Sequence, residues 1–313
     1  MRPFHQHGDP DASYHVPKTD FGKSARSMTS HQPIGVFDSG VGGLSVLREI
    51  RRELPDEDLL YVADSAYAPY GDQSADAIEL RAVAVTELLL ARGAKAIVVA
   101  CNTATGAAAR VLRNRYSVPV IAMEPAVKPA IEQTRSGVIG VLATRQTLAS
   151  DTFKQLLARL GEGPEILLQA CPGLVERVEA GDLEGEGTRA LLAAYLEPLL
   201  ARRADTLVLG CTHYPHLGGL VGEIVGPRVR VLDSGAAVAR QVHRRLAEAG
   251  LLAPPGRAGT ERFWTSGEPI KVAPVMERLW GAPLELHPLP REAATPLFGE
   301  GAALVVQGAG CGR

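Results

Sequence analysis

Two cysteines in near-matching frames are the residues of this chain best suited to chemistry. Cys101 stands in Ala100-Cys101-Asn102-Thr103-Ala104, and Cys211 stands in Gly210-Cys211-Thr212-His213-Tyr214-Pro215. Each follows an apolar run that reads as a buried strand, Ala96-Ile97-Val98-Val99 in one case and Thr206-Leu207-Val208-Leu209 in the other. Each precedes small or hydroxyl residues that suit the start of a helix. A thiol at the carboxyl end of a parallel strand lies where open α/β sheets bind ligands. The dipole of a following helix favours its thiolate. Two such thiols suggest a pair of proton-transfer groups facing one substrate from opposite sides. A free cysteine by itself is ordinarily a small buried hydrophobe. The polar Asn102, Thr103, Thr212 and His213 that follow set these two apart from Cys171 and Cys311, which lack that context and read as non-catalytic. His213, two residues past Cys211, can hydrogen-bond the sulfur and favour its anion.

Other segments invite chemical readings. Asp38-Ser39-Gly40-Val41-Gly42-Gly43 is a glycine-rich turn after an apolar run and before a helical pattern. Counted from Gly40, the third glycine slot of a dinucleotide fingerprint falls on Ser45, which argues against nucleotide binding. The turn reads instead as exposed amides that bind a carboxylate, with Asp38 holding an ammonium or orienting a thiol. A plain tight turn with a capping aspartate is the alternative. In Ala68-Pro69-Tyr70-Gly71-Asp72 the phenol either lines a substrate pocket or packs in a proline-initiated turn. His216 reads as part of a helix start.

To position these groups the chain alternates strands and helices from Pro33 onward. The apolar runs at 34–37, 59–62, 96–99 and 120–122 read as strands, with helical periodicity at 44–54, 75–92 and 103–116. A second series follows: strands at 137–142, 206–209 and 229–232, and helices at 148–160, 174–180, 189–203 and 238–249. Short strands at 262–264 and 284–287 flank a helix at 273–280. The fold class is therefore α/β: two pseudo-symmetric domains with central parallel sheets and an active site in the cleft between them. Residues 33–128 with 238–290 form the first domain and 129–237 the second. Residues 1–32 read as a disordered leader and 291–313 as an irregular tail. The repeat of Asp38-Ser39-Gly40 in Asp233-Ser234-Gly235, like that of the two cysteine frames, suggests a pseudo-twofold relation.

Composition narrows the function classes. The chain has 313 residues, 46% hydrophobic and 22% charged, which suits one large or two moderate folded domains. A net charge of -2 gives no global basic surface, so a nucleic-acid partner is not expected. Four cysteines without a C-x-x-C pair argue against structural zinc and disulfides, and free thiols fit a reducing cytoplasm. No metal site is expected. No apolar stretch is long enough to span a bilayer, so no membrane partner is expected. No lysine motif suggests pyridoxal phosphate, and no cofactor is expected.

Taken in order, Phe37-Asp38-Ser39-Gly40-Val41-Gly42-Gly43, Pro69-Tyr70-Gly71, Ala100-Cys101-Asn102-Thr103-Ala104, Gly140-Val141-Leu142-Ala143-Thr144 and Gly210-Cys211-Thr212-His213-Tyr214-Pro215 resemble the glutamate racemases. These are cofactor-independent enzymes that supply D-glutamate for the bacterial cell wall. The resemblance runs from about Ile34 to Leu289. It implies that Cys101 acts on D-glutamate and Cys211 on L-glutamate, with Asp38 assisting Cys101 and with Glu179 and His213 assisting Cys211. It further implies that Asp38, Ser39, Tyr70, Gly71, Asn102, Thr103, Thr212 and His213 surround the substrate, and that the protein is a homodimer. Related aspartate racemases usually carry Glu where His213 stands, which favours glutamate. An aspartate racemase, a one-thiol decarboxylase of the same superfold and a non-catalytic binding protein are the other classes weighed. The paired thiols speak against the decarboxylase.

Overall fold

The computed structural model describes residues 28–161 and 163–290. The tail from 291 onward, Cys311 and residues 1–27 of the leader lie outside the described residues. Residues 28–32 carry a turn in which the Gln32 amide donates to the Thr29 carbonyl and the Lys95 ammonium to the Ser30 carbonyl.

The first half of the chain runs β1 (Ile34–Asp38), α1 (Leu44–Glu53), β2 (Leu59–Ala63), α2 (Ala75–Ala91), β3 (Ala96–Val99), α3 (Asn102–Arg115) and β4 (Val120–Ala122). The second runs α4 (Val127–Gln133), β5 (Val138–Ala143), α5 (Arg145–Ala149), α6 (Asp151–Leu160), β6 (Glu165–Ala170), α7 (Leu174–Glu179), α8 (Glu186–Ala201), β7 (Thr206–Leu209), α9 (Gly218–Val225) and β8 (Arg230–Leu232). The chain then continues through α10 (Gly235–Glu248), β9 (Glu261–Thr265), α11 (Pro269–Trp280) and β10 (Leu286–Pro288). The strands form two sheets, ordered β10-β9-β2-β1-β3-β4 and β6-β5-β7-β8, and every pairing is parallel.

The order β2-β1-β3-β4 in one sheet is the order β6-β5-β7-β8 in the other. The strands that carry the two thiols, β3 and β7, are therefore counterparts, and the echo between the cysteine frames is structural. The echo between Asp38-Ser39-Gly40 and Asp233-Ser234-Gly235 is not. Asp38 ends β1, whose counterpart β5 leads to Thr144, whereas Asp233 follows the edge strand β8. At that edge the Ser234 hydroxyl donates to the Glu124 carbonyl, and Asp233 accepts from the Gly235 amide in a local turn.

The central strands β1, β3 and β7 are buried throughout, which fits their near-continuous apolar runs. Register places Val36 beside both Tyr61 and Val98, so β1, β2 and β3 deliver their carboxyl ends to one rim. Four elements depart from the sequence expectation. The helix expected over 148–160 is two helices, because Ser150 interrupts the pattern and its hydroxyl caps α6 by accepting from the Phe153 amide. β6 was not anticipated; it is an edge strand, half-exposed with Leu168 open to solvent. α4 and α9 were hidden by Pro129 and by the glycines at 218, 219 and 222, which depress helical propensity.

Candidate active site

The turn between β1 and α1 is where both halves meet. Its glycines leave room for side chains that arrive from elsewhere. A Cβ at Gly40 would lie 1.9 Å from Glu179 Oε1, and one at Gly42 would lie 2.3 Å from His213 Nδ1. The amides of this turn do bind carboxylates, but those carboxylates belong to the protein. The Val41 amide donates to Glu179 Oε1 (2.7 Å) and the Gly43 amide to Asp38 Oδ2 (2.7 Å). Two of the turn's amides are thus engaged within the protein, by Glu179 and by Asp38. The Tyr61 hydroxyl donates to the Gly40 carbonyl (2.7 Å) and braces the turn from β2.

Cys101 follows β3 and caps α3, its sulfur accepting from the Ala104 amide at 3.5 Å. Its thiol reaches Ser39 Oγ at 3.8 Å, and Ser39 in turn donates to Asp38 Oδ1 at 3.4 Å. Burial pushes the Cys101 thiol well above its usual range, and the nearby Asp38 carboxylate pushes it further; the Ala104 amide opposes this. The expectation that a helix start would favour the Cys101 thiolate is thus corrected: one amide hydrogen bond does not offset desolvation and an adjacent anion. Burial also raises Asp38, against the lowering effect of His213.

Cys211 has a different setting. No α-helix starts behind it; a 3-10 turn at Tyr214–Leu217 comes first and α9 opens only at Gly218. Pro215 and the Gly218-Gly219 pair disfavour an earlier helix. In place of a helix dipole, His213 Nδ1 lies 3.7 Å from the sulfur, and its Nε2 lies 2.6 Å from Glu179 Oε1 at the end of α7. Burial alone would lower the His213 pKa, but the hydrogen bonds to Cys211 and Glu179 overcome it and raise it well above the usual imidazole range. His216 behaves oppositely. It sits in the 3-10 turn with Nε2 3.0 Å from the Gly42 carbonyl, and burial lowers it to about 4.

The two sulfurs line one narrow cavity with about 10 Å³ of water-accessible space. Ser39, Tyr70, Gly71, Asn102, Thr103, Thr212 and His213 also line it, while Asp38 and Glu179 stand behind the lining. Thr212 Oγ1 donates to Asp38 Oδ2 across the two halves at 3.3 Å. Asn102 is buried with neither side-chain amide atom hydrogen-bonded. Sequence reading gave no role to Thr144 and Thr147, which form a buried hydroxyl triangle with Thr103 at 2.9 to 3.2 Å, Thr144 reaching the cavity. Thr144 lay within the quoted Gly140–Thr144 stretch, and its place after β5, the counterpart of β1, was the available signal. Among the described residues, the lining holds no Lys or Arg, so a substrate carboxylate there would meet amides and hydroxyls. Among the described residues no three His, Cys, Asp or Glu side chains are grouped for a metal ion, and no helix is long and apolar enough to cross a membrane.

A parallel two-sheet fold with paired thiols in the cleft defines a class, and comparison with known proteins agrees. The model of the Asp/Glu/hydantoin racemase family matches residues 34–242. The glutamate racemase of Methylococcus capsulatus is 55% identical over 264 residues, covering 84% of this chain and 97% of that protein. Among solved structures, the glutamate racemase isoform RacE1 of Bacillus anthracis superposes with a TM-score of 0.77 at 34% identity, over 83% of this chain and 98% of that one. The Escherichia coli glutamate racemase, solved with L-glutamate and the activator UDP-MurNAc-ala, gives a TM-score of 0.73 at 34% identity, over 82% of this chain and 98% of that one. The chain belongs to the Asp/Glu/hydantoin racemase family and, within it, to the glutamate racemases. It is an enzyme, an amino-acid racemase of the isomerase class.

Proposed function

We propose that this enzyme interconverts L- and D-glutamate by proton transfer between two thiols, Cys101 and Cys211, without a cofactor. The observation that carries the reading is that both sulfurs line one cavity from counterpart strand ends of opposite halves. In the L-to-D direction the Cys211 thiolate removes the α-proton, and the Cys101 thiol delivers its own to the other face. The enzyme is left with Cys211 as thiol and Cys101 as thiolate, the form that accepts D-glutamate. Electrostatics support this starting form. His213, held cationic by its bonds to Cys211 and Glu179, sits beside Cys211, while burial and then the Asp38 carboxylate keep the proton on Cys101.

General acid-base catalysis supplies typically ~10²–10⁴-fold. The α-proton of an amino acid needs more, and preorganised donors add roughly 10²–10³ each where charge develops. Asn102, with both amide atoms unengaged, is the donor available to the charge that builds on the α-carboxylate, and the Thr103 hydroxyl, whose hydrogen-bond direction is free, lines the same cavity. The two carboxylates of glutamate fit a lining rich in neutral donors. Residues 33–128 with 238–290 and 129–237 are taken as the two domains that clasp the substrate. The cellular role is supply of D-glutamate for peptidoglycan, hence for cell-wall biogenesis and cell shape, by a cytoplasmic homodimer.

One assay tests the reaction. Purified protein without added cofactor is given L-glutamate or D-glutamate in deuterated buffer. Loss of circular dichroism from either enantiomer, with deuterium at the product α-carbon, is expected. Racemisation without label would exclude the two-base route, and exchange with aspartate in place of glutamate would reassign the substrate.

A further inference from the structure

Behind Tyr70 lies a buried ion pair that the proton-transfer chemistry does not use. Asp64 directly follows β2, and its amide donates to the Asp38 carbonyl at 3.0 Å, so it stands at the same rim as the catalytic turn. Arg81 reaches it from α2 with a two-pronged contact, Nε to Oδ2 at 2.9 Å and Nη2 to Oδ1 at 2.7 Å. Asp64 is fully buried and Arg81 is 5% exposed. The guanidinium lies 3.9 Å over the Tyr67 ring. The Tyr70 hydroxyl donates to Asp64 Oδ2 at 2.5 Å, making that oxygen the acceptor for both partners.

A buried ion pair is a poor stabilising device, because desolvating both charges offsets most of their attraction. Its strength is geometric: the planar guanidinium fixes the carboxylate plane, and a fixed carboxylate fixes whatever donates to it. Here that donor is the tyrosine of the Pro69–Tyr70–Gly71 wall of the cavity. The phenolic proton is committed to Asp64, and burial and then the Asp64 charge keep it there, so Tyr70 has no proton to give a substrate. What the network supplies is placement. Gly71, next in line, packs against Thr144 of the other half so closely that a Cβ there would lie 3.0 Å from Thr144 Cβ. A small rotation of Tyr70 would therefore alter the fit between the two halves of the cavity.

We propose that Asp64 and Arg81 are positioning residues: their ion pair anchors the Tyr70 hydroxyl and so fixes the Pro69–Tyr70–Gly71 wall against the second half of the substrate cavity. The proposal rests on that cavity being the glutamate site. It makes the pair a determinant of substrate binding, with no direct part in proton transfer.

The test is a double-mutant cycle on the full-length enzyme, with Tyr70→Phe, Asp64→Asn, the double variant and Arg81→Lys assayed on both enantiomers beside thermal melts. Tyr70→Phe keeps the ring and the ion pair but removes the anchor. It is expected to raise KM roughly fivefold to tenfold for L- and D-glutamate, with kcat changed less than about threefold. Asp64→Asn is expected to do at least as much, and the double variant no more than the worse single one, because both act through one bond. Arg81→Lys, which keeps the charge and loses the fork, is expected to give an intermediate KM. A purely structural pair would lower the melting temperature while leaving KM at its wild-type value, or give additive losses; either result overturns the proposal. Should Asp64→Asn fail to fold, Tyr70→Phe decides alone, and an unchanged KM overturns it. A wild-type enzyme that does not racemise glutamate would instead count against the proposed function.

Discussion

The ends of β3 and β7 occupy the same place in their two sheets, yet they hold their sulfurs in opposite electrostatic settings. Cys101 caps a long helix and faces an acid, through Ser39 and Asp38. Cys211 has no α-helix behind it and faces a base, the His213 imidazole tied to Glu179. A duplicated scaffold delivers two equivalent positions, and the turns that follow make them inequivalent. In the proposed two-thiol racemisation, whose substrate and product are mirror images, this inequivalence would let one protein offer a proton on one side and accept one on the other.

The strongest test of the comparison removes each sulfur in turn. Cys101→Ala and Cys211→Ala are each expected to fold and to lose racemisation by at least about 10³-fold. Enantiomers have equal free energy, so the loss in kcat/KM must be the same in both directions for a given variant. The difference should appear in α-proton exchange followed by NMR in deuterated water. Cys101→Ala retains exchange on L-glutamate, and Cys211→Ala retains it on D-glutamate. Exchange of both enantiomers by either variant would erase the assigned faces.

A smaller effect should come from the charged partners. Glu179→Gln removes one of the two hydrogen bonds that raise His213, so the imidazolium is lost at lower pH. The alkaline limb of the kcat/KM profile should move to lower pH, with roughly a tenfold loss at neutral pH. Asp38→Asn acts on the other side. It removes the anion that, after burial, raises the Cys101 thiol, so alkylation of Cys101 by iodoacetamide should begin at lower pH than in the parent. An unchanged alkylation profile would mean that Asp38 does not distinguish the two thiols.

The smallest effect concerns stability. His216 titrates at about 4 when folded, against an ordinary value near 6.5. As pH falls, the unfolded chain takes up this proton first. The stability contributed by the neutral form is complete above about 6.5 and is lost as pH falls towards 4. Between pH 6.5 and 5 that loss is about 2 kcal/mol. His213 has the opposite sign, since its raised pKa gives stability present below about 6.5 and lost as pH rises through the folded value. Urea unfolding of wild type and His216→Asn at pH 7 and pH 5 isolates the first component, and a drop of equal size in both proteins would remove His216 as its source.

The cysteine frames were legible because β3 and β7 are short, fully buried runs that end in polar residues, a pattern carried by adjacent positions. The Asp-Ser-Gly repeat misled for the same reason: tripeptide likeness carries no information about strand order, and Asp233 lies at a sheet edge. The glycine turn was recognised as an amide-rich feature, and Asp38, five residues before Gly43, fits the capping alternative, but Glu179 comes from a contact that no local pattern encodes. The same holds for Thr147 and for the Asp64–Arg81 pair, whose members sit 17 residues apart and meet only once α2 folds back on β2.

The hollow left by Gly40 and Gly42 has one more consequence. In each case the missing methyl is replaced by a functional group from the opposite half, a carboxylate oxygen at one and an imidazole ring at the other. The turn works as a mould, with absence at two sites setting where an acid and a base stand. Adding a single carbon at either place would evict the occupant while leaving both sulfurs untouched, and so would disable the enzyme from a residue that does no chemistry itself.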